Sequence, residues 1–254
     1  DGKMPPAVVA FPDCFTKLGG NQYINSPALG PYEDHIMTEV VPEIEKHYAC
    51  GGPGKRGVYG KSSGGYAALV YGMKHPDFWS VIACQSGDMG FELAYLYEMP
   101  EVLTTFEKYN YCTKTFMASF EQQDAPSSND IMLLMMLAMA ANYDPSSDSK
   151  DHLGIRLPVD VRTMEIIPER WKQWLRHDPL EMLPLYTENL KKLKGLFIDC
   201  GAQDQFRFQF GARKLSQSLS KNGVTHAYDE YQGTHFNIDH RLEQSLPFLL
   251  KALL

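Results

Sequence analysis

The sequence predicts an α/β protein, a mostly parallel sheet with helices on both faces. Three observations carry this. Short apolar runs recur at 7–13, 56–60, 79–87, 195–201 and 225–231, each ended by glycine, proline or a polar turn. Stretches with helical apolar spacing lie between them, the alternation that covers both faces of a parallel sheet. With 254 residues and ordinary hydrophobic and charged fractions, the chain can close one large core.

The elements follow in order. AVVAFPD (7–13) reads as a buried strand closed by a proline turn, and LGGNQYINSPALGPYED as a loop. EDHIMTEVVPEIEKHY (33–48) places Ile36, Val40, Ile44 and Tyr48 on one helix face, with Pro42 predicting a kink. RGVYG (56–60) is the next strand, and SSGGYAALVYGMKHP (62–76) a helix that proline closes. WSVIACQSG (79–87), GLFIDCG (195–201) and THAYDEY (225–231) are the remaining strands. FGARKLSQSLSKNG (210–223) and RLEQSLPFLLKALL (241–254) are the remaining helices of the alternating pattern.

Residues of about 88–190 break this rhythm. They are rich in Met, Tyr, Pro and acidic side chains and are expected to form a helical insertion within a single domain, 1–254. The Met-rich run IMLLMMLAMAA (131–141) suits a flexible apolar lid, core packing or a contact in a homo-oligomer; DPSSDSKD (144–151) reads as a loop.

Bulk properties exclude several classes. A net charge of −7 argues against nucleic acid as a partner, which needs a basic footprint. No apolar run approaches the ~18 residues of a membrane span. Cys14, Cys50, Cys84, Cys112 and Cys200 are scattered and odd in number, which argues against a disulfide framework or structural zinc and fits a reducing, cytoplasmic compartment. No His/Asp/Glu spacing suits a metal, and no cofactor is implied.

The stretch GVYGKSSGGYAAL (57–69) holds two competing motifs. Gly60-Lys61-Ser62 resembles the end of a phosphate-binding loop, but position 55, where the motif needs glycine, is lysine. The strand also runs directly into Gly60, leaving no loop to cradle phosphate. Gly60-Lys61-Ser62-Ser63-Gly64 fits G-x-S-x-G, a serine on a sharp strand–helix turn with its hydroxyl exposed. Centring on Ser62 puts Gly60 and Gly64 where the backbones crowd; centring on Ser63 would put Lys61 there. Ser62 is therefore the expected nucleophile, and Ser63 N–H the expected oxyanion donor.

A serine needs a base, and the base an orienting acid, in the chain order Ser, Asp/Glu, His. Asp204 sits on the turn after GLFIDC, and His235 on the loop after HAYDEY. Asp199 lies inside its strand and His240 near the last helix, which makes both weaker choices. His35, His47, His75, His152, His177 and His226 have no acid at useful spacing. Asp88, Phe91 and Tyr95, after the third strand, are expected to line a substrate pocket at the carboxyl end of the sheet. Phe206, Phe208 and Phe210 are read as packing.

AVVAFPDCF, GNQYINS, GKSSGGYAAL, HPDFWSVIACQSGD, LFIDCGAQDQF and GTHF together resemble the putative-esterase family of α/β-hydrolases, over roughly 7–95 and 190–250. That family includes esterase D, S-formylglutathione hydrolases, feruloyl esterases and mycolyltransferases. The resemblance implies an α/β-hydrolase fold and a serine carboxylic-ester hydrolase acting on a small ester. It puts Ser62, Asp204 and His235 at triad positions. Acyltransferase or thioesterase chemistry, or an inactive binding relative, are the alternatives. The family draws its second oxyanion N–H from an earlier strand end. The chain begins at Asp1, so that segment and the first strands are expected to precede it, unless the loop at Cys14 and Phe15 substitutes.

Overall fold

The computed structural model describes residues 4–146 and 154–254. Most of DPSSDSKD, and His152, lie outside them. In chain order the elements are β1 (Asn25–Ser26), β2 (Gly30–Pro31), α1 (Tyr32–His35), α2 (Val41–Tyr48), β3 (Gly57–Lys61), α3 (Ser63–Lys74) and β4 (Val81–Gln85). Then come α4 (Met99–Glu107), α5 (Thr113–Phe120), α6 (Ser128–Tyr143), α7 (Pro168–Leu175), α8 (Pro179–Leu190), β5 (Gly195–Gly201), α9 (Phe208–Lys221), β6 (Ala227–Tyr231) and α10 (Leu242–Leu253). They form two compact units. One holds the residues up to Pro12, Ile36–Gly90 and Asp178–Leu254; the other holds Asp13–His35 and Phe91–His177.

The first unit is built on a parallel sheet in the order β3-β4-β5-β6. The central strands β4 and β5 are buried along their whole length, as strands covered on both faces must be. On one face, Val81, Ala83 and Phe197 pack against Leu249 of α10. On the other, α3 lies against Ile82: a Cβ on Gly72 would come within 2.6 Å of Ile82 Cδ1. The α8 helix joins this unit too, and Asn189 Nδ2 donates to Met73 O (2.7 Å). The predicted strands at 56–60, 79–87, 195–201 and 225–231 are all present.

The expected strand at 7–13 is not. Those residues join no ladder, and Val8, Val9 and Phe11 are exposed. Strand propensity expresses itself through a ladder and a packed face. Here the outer edge of β3 carries no neighbouring strand among the described residues, and Phe11 only meets Tyr59 edge-on, ring centroids 6.2 Å apart. The helix expected at 33–48 is broken: the backbone widens into a π turn at Ile36–Val40 before Pro42, which has no N–H to give. Its apolar face fades along the way, from buried Ile36 to exposed Tyr48.

The second unit is helical around α6. Ser127 caps that helix by accepting from Asp130 N–H (3.1 Å). Every residue from Met136 to Tyr143 is buried. The Met-rich run is thus a core helix of its unit. Ser26 Oγ of β1 donates to Ala141 O (2.6 Å), tying the small β1–β2 hairpin to it.

Candidate active site

Each parallel strand ends at the same edge of the sheet, and the loops beyond β3, β5 and β6 carry Ser62, Asp204 and His235. Ser62 stands between β3 and α3 with φ 55° and ψ −122°, a strained conformation for any residue with a side chain. Its N–H donates to Gln85 O (3.0 Å), and its carbonyl accepts from Tyr66 N–H (2.8 Å). Ser63 has ordinary backbone and opens α3, so its N–H is one of the donors that a helix leaves without an internal acceptor.

The turn is tight, but not quite where the motif suggests. A Cβ on Gly60 would lie 2.4 Å from Gly64 C, so Gly60 is needed, as expected. A Cβ on Gly64 would meet nothing within 4 Å. The second crowded position is Gly65, whose Cβ would reach Gln85 O at 2.8 Å. Gly64 matters as the backbone that Gly60 abuts.

Asp204 and His235 are brought together. His235 Nδ1 and Asp204 Oδ2 are 2.7 Å apart, and both side chains are buried. Asp204 Oδ1 accepts from Phe206 N–H (2.9 Å), and His235 N–H donates to Gln205 Oε1 (2.8 Å). The two loops interlock. Ala202 N–H donates to Tyr231 O (2.8 Å) and Gln203 N–H to Gly233 O (2.9 Å). Gly201 permits this approach, since a Cβ there would come within 2.6 Å of Gly233 O. The Cys200 thiol lies 3.8 Å from Asp204 Oδ2, and burial holds its pKa far above the usual thiol range.

Both rivals are engaged elsewhere. Asp199 Oδ2 accepts from Arg241 Nε (3.0 Å), and Arg241 also pairs with Asp229. Burial raises the Asp199 carboxyl to about 6 against the pull of that arginine. His240 is exposed, with Nδ1 3.2 Å from Asn237 O.

Ser62 is not hydrogen-bonded to His235. Its Oγ donates to Asp88 Oδ1 at 3.4 Å, a partner that motif reasoning did not foresee because no motif links the two positions. The two loops nonetheless converge: Lys61 Nζ, next to Ser62, sits 5.3 Å from the ring centroid of Phe236, next to His235. Of the other expected lining residues, Phe91 and Tyr95 are buried in an aromatic cluster of the second unit with Tyr143 and Trp174. In that unit, Cys14 is buried, its carbonyl accepting from Asn21 Nδ2 (2.5 Å), and Phe15 N–H is taken by Asp13 Oδ1 (3.0 Å). Among the described residues no cluster of His, Cys, Asp or Glu could hold a metal ion, and no helix is long and apolar enough to cross a membrane.

A parallel sheet wrapped by helices, with a strained serine at a strand–helix turn, defines the α/β-hydrolase class. Within it, the chain belongs to the family described as "Putative esterase", matched over residues 25–243, and is an enzyme of the esterase class. Among solved structures it is similar to a ferulic acid esterase (18% identity, TM-score 0.55, covering 93% of this chain and 67% of that one). It is also similar to FphF, a substrate-bound fluorophosphonate-binding serine hydrolase of Staphylococcus aureus (16%, 0.50, 91% and 68%). A third is MPT51 (FbpC1) of Mycobacterium tuberculosis (12%, 0.55, 92% and 74%). The chain thus spans about two thirds to three quarters of their lengths. At these identities the likeness shows the fold alone. No curated protein matches the chain in sequence.

Proposed function

We propose that the protein hydrolyses small carboxylic esters through an acyl-enzyme on Ser62, with His235 as base and Asp204 as its orienting acid. The observation that carries this is the buried Asp204–His235 pair at 2.7 Å, on the sheet whose first strand ends in the strained Ser62. A carboxylate on Nδ1 leaves Nε2 as the basic nitrogen and stabilises the imidazolium that forms.

For reaction, the Ser62 hydroxyl leaves Asp88 and reaches His235 Nε2; catalytic hydrogen bonds in free enzymes are commonly long and tighten with substrate. Ser62 Oγ then attacks the ester carbonyl as its proton passes to His235. The oxyanion forms at the Ser63 N–H, at the positive end of α3. His235 returns the proton to the departing alcohol, and water resolves the acyl-enzyme by the same route. Supplying an acceptor alcohol and assaying for a transferred acyl group separates hydrolysis from transfer.

The test is intact-mass labelling with a fluorophosphonate. One adduct is expected on wild type and none on Ser62→Ala, which also loses ester hydrolysis by a factor on the order of 10⁶. An unlabelled wild type, or an adduct that survives in Ser62→Ala, sinks the assignment.

A further inference from the structure

The groups around the imidazole bear on a question that the triad leaves open, namely what leaves. His235 hands its proton to the departing oxygen, so that oxygen must lie within hydrogen-bond reach of Nε2, and the rest of the leaving group must lie along whatever borders the ring. Three phenylalanines do. Phe206 meets the imidazole edge-on at 4.7 Å, Phe208 at 5.5 Å and Phe236 at 5.5 Å between ring centroids. Phe208 is buried and stacks on Phe206 at 5.7 Å, which fixes the wall from behind. Phe206 is half-buried and Phe236 is 53% exposed, so these two present ring surface outward.

Above Phe236 sits the Lys61 ammonium, 5.3 Å from the ring centroid. No carboxylate among the described residues pairs with it, in contrast to Arg56, Lys191, Arg213 and Arg241, which all have acidic partners. An exposed aromatic beside the base, topped by a cation that no carboxylate pairs with among the described residues, is complementary to a flat apolar group with a negative end.

We propose that Lys61, Phe206 and Phe236 form a leaving-group subsite for aryl alcohols that carry an anion, such as hydroxyaryl carboxylates. This rests on the acyl-enzyme reading above. In the acylation step the Ser62 Oγ–carbonyl bond forms and the carbonyl–aryl oxygen bond breaks. The Ser62 proton travels through His235 Nε2 to the aryl oxygen. The anionic aryl alcohol then departs across Phe236, under Lys61, with the acyl group left on Ser62.

The test compares kcat/KM for 4-acetoxybenzoate, phenyl acetate and (4-acetoxyphenyl)trimethylammonium, in wild type, Lys61→Met and Lys61→Glu. Each ratio between variants cancels the intrinsic reactivity of the ester. The anionic-to-neutral ratio is expected to fall about three- to tenfold in Lys61→Met. Lys61→Glu is expected to shift preference to the cationic ester. Phe236→Ala lowers kcat/KM for all three aryl esters relative to ethyl acetate. In wild type, which needs no variant to fold, the anionic preference shrinks as salt is raised to about 0.5 M. Ratios that do not move in either Lys61 variant, or with salt, overturn the subsite while fluorophosphonate labelling of wild type leaves the mechanism standing. Failure of that labelling overturns both.

Discussion

The two corners of the site are built in different ways. At the β5–β6 end, side-chain geometry is complete: Asp204 and His235 are paired at 2.7 Å, and both loops are pinned to each other through backbone bonds. At the β3 end, backbone geometry is complete and side-chain geometry is not. Ser62 holds its strained turn, but its hydroxyl rests 3.4 Å from Asp88. The surroundings differ in the same sense. Both β3 and β6 are edge strands among the described residues, but β6 carries the ion pairs Arg213–Glu230 and Arg241–Asp229, whereas on β3 Tyr59 meets the exposed Phe11 edge-on. Under the proposed mechanism the acid–base pair must be preorganised because its hydrogen bond sets the tautomer. A nucleophile need only be aimed, since its partner bond forms when substrate arrives.

The largest effect should come from breaking the completed corner. Asp204→Asn preserves size but favours the wrong imidazole tautomer, and kcat is expected to drop by about 10⁴ with thermal stability largely kept. Fluorophosphonate labelling should slow in parallel. A loss under tenfold would mean that the pair is structural only.

The Ser62 corner is broken through its backbone. Gly60→Ala forces a Cβ to within 2.4 Å of the Gly64 carbonyl carbon. A cost of about 1–3 kcal/mol is expected, together with loss of labelling, as the turn is pushed open. Gly64→Ala is the contrast: its Cβ enters open space within α3, so stability should stay level or rise by a few tenths up to about 1 kcal/mol. Denaturant melts of both variants decide. Equal penalties would mean that the motif glycines act as a symmetric pair, contrary to the asymmetry seen here.

Much of this was legible in the sequence, for identifiable reasons. The central strands β4 and β5 show as apolar runs because they are buried on both faces, while the half-exposed β3 and β6 show by their place in the alternation; Ser62, Asp204 and His235 each stand just past a strand end, where the sequence order puts them. AVVAF is apolar throughout yet forms no strand, because an apolar run cannot report whether a neighbouring edge exists. The Ser62–Asp88 contact and the Arg241–Asp199 pair were hidden because their partners stand 26 and 42 residues apart, with no motif linking them. Phe91 and Tyr95 sit where a pocket residue belongs in sequence, but their rings turn into an aromatic core. Tyr95 lies in a π turn, Glu92–Leu96, and period alone does not say which side of such a turn faces inward.

The finest comparison is between two carboxylates borne by β5 and the turn that follows it. Asp204 faces an imidazole; Asp199 faces Arg241, and its other oxygen, Oδ1, is buried. Burial outweighs the arginine at Asp199 and lifts its pKa to about 6, above the ~3.9 of an unfolded aspartate. Between those values the folded chain holds a proton that the unfolded chain has released, so stability must fall as pH rises from about 4 through about 6. This is opposite in sign to the usual ion-paired carboxylate. Asp199→Asn removes the titration, and its melting temperature should be flat over that window where the wild type declines, once the change is measured as a difference between the two proteins. A difference that grows with pH in favour of wild type would mean that Arg241 prevails and that Asp199 folds as an ordinary salt-bridged aspartate.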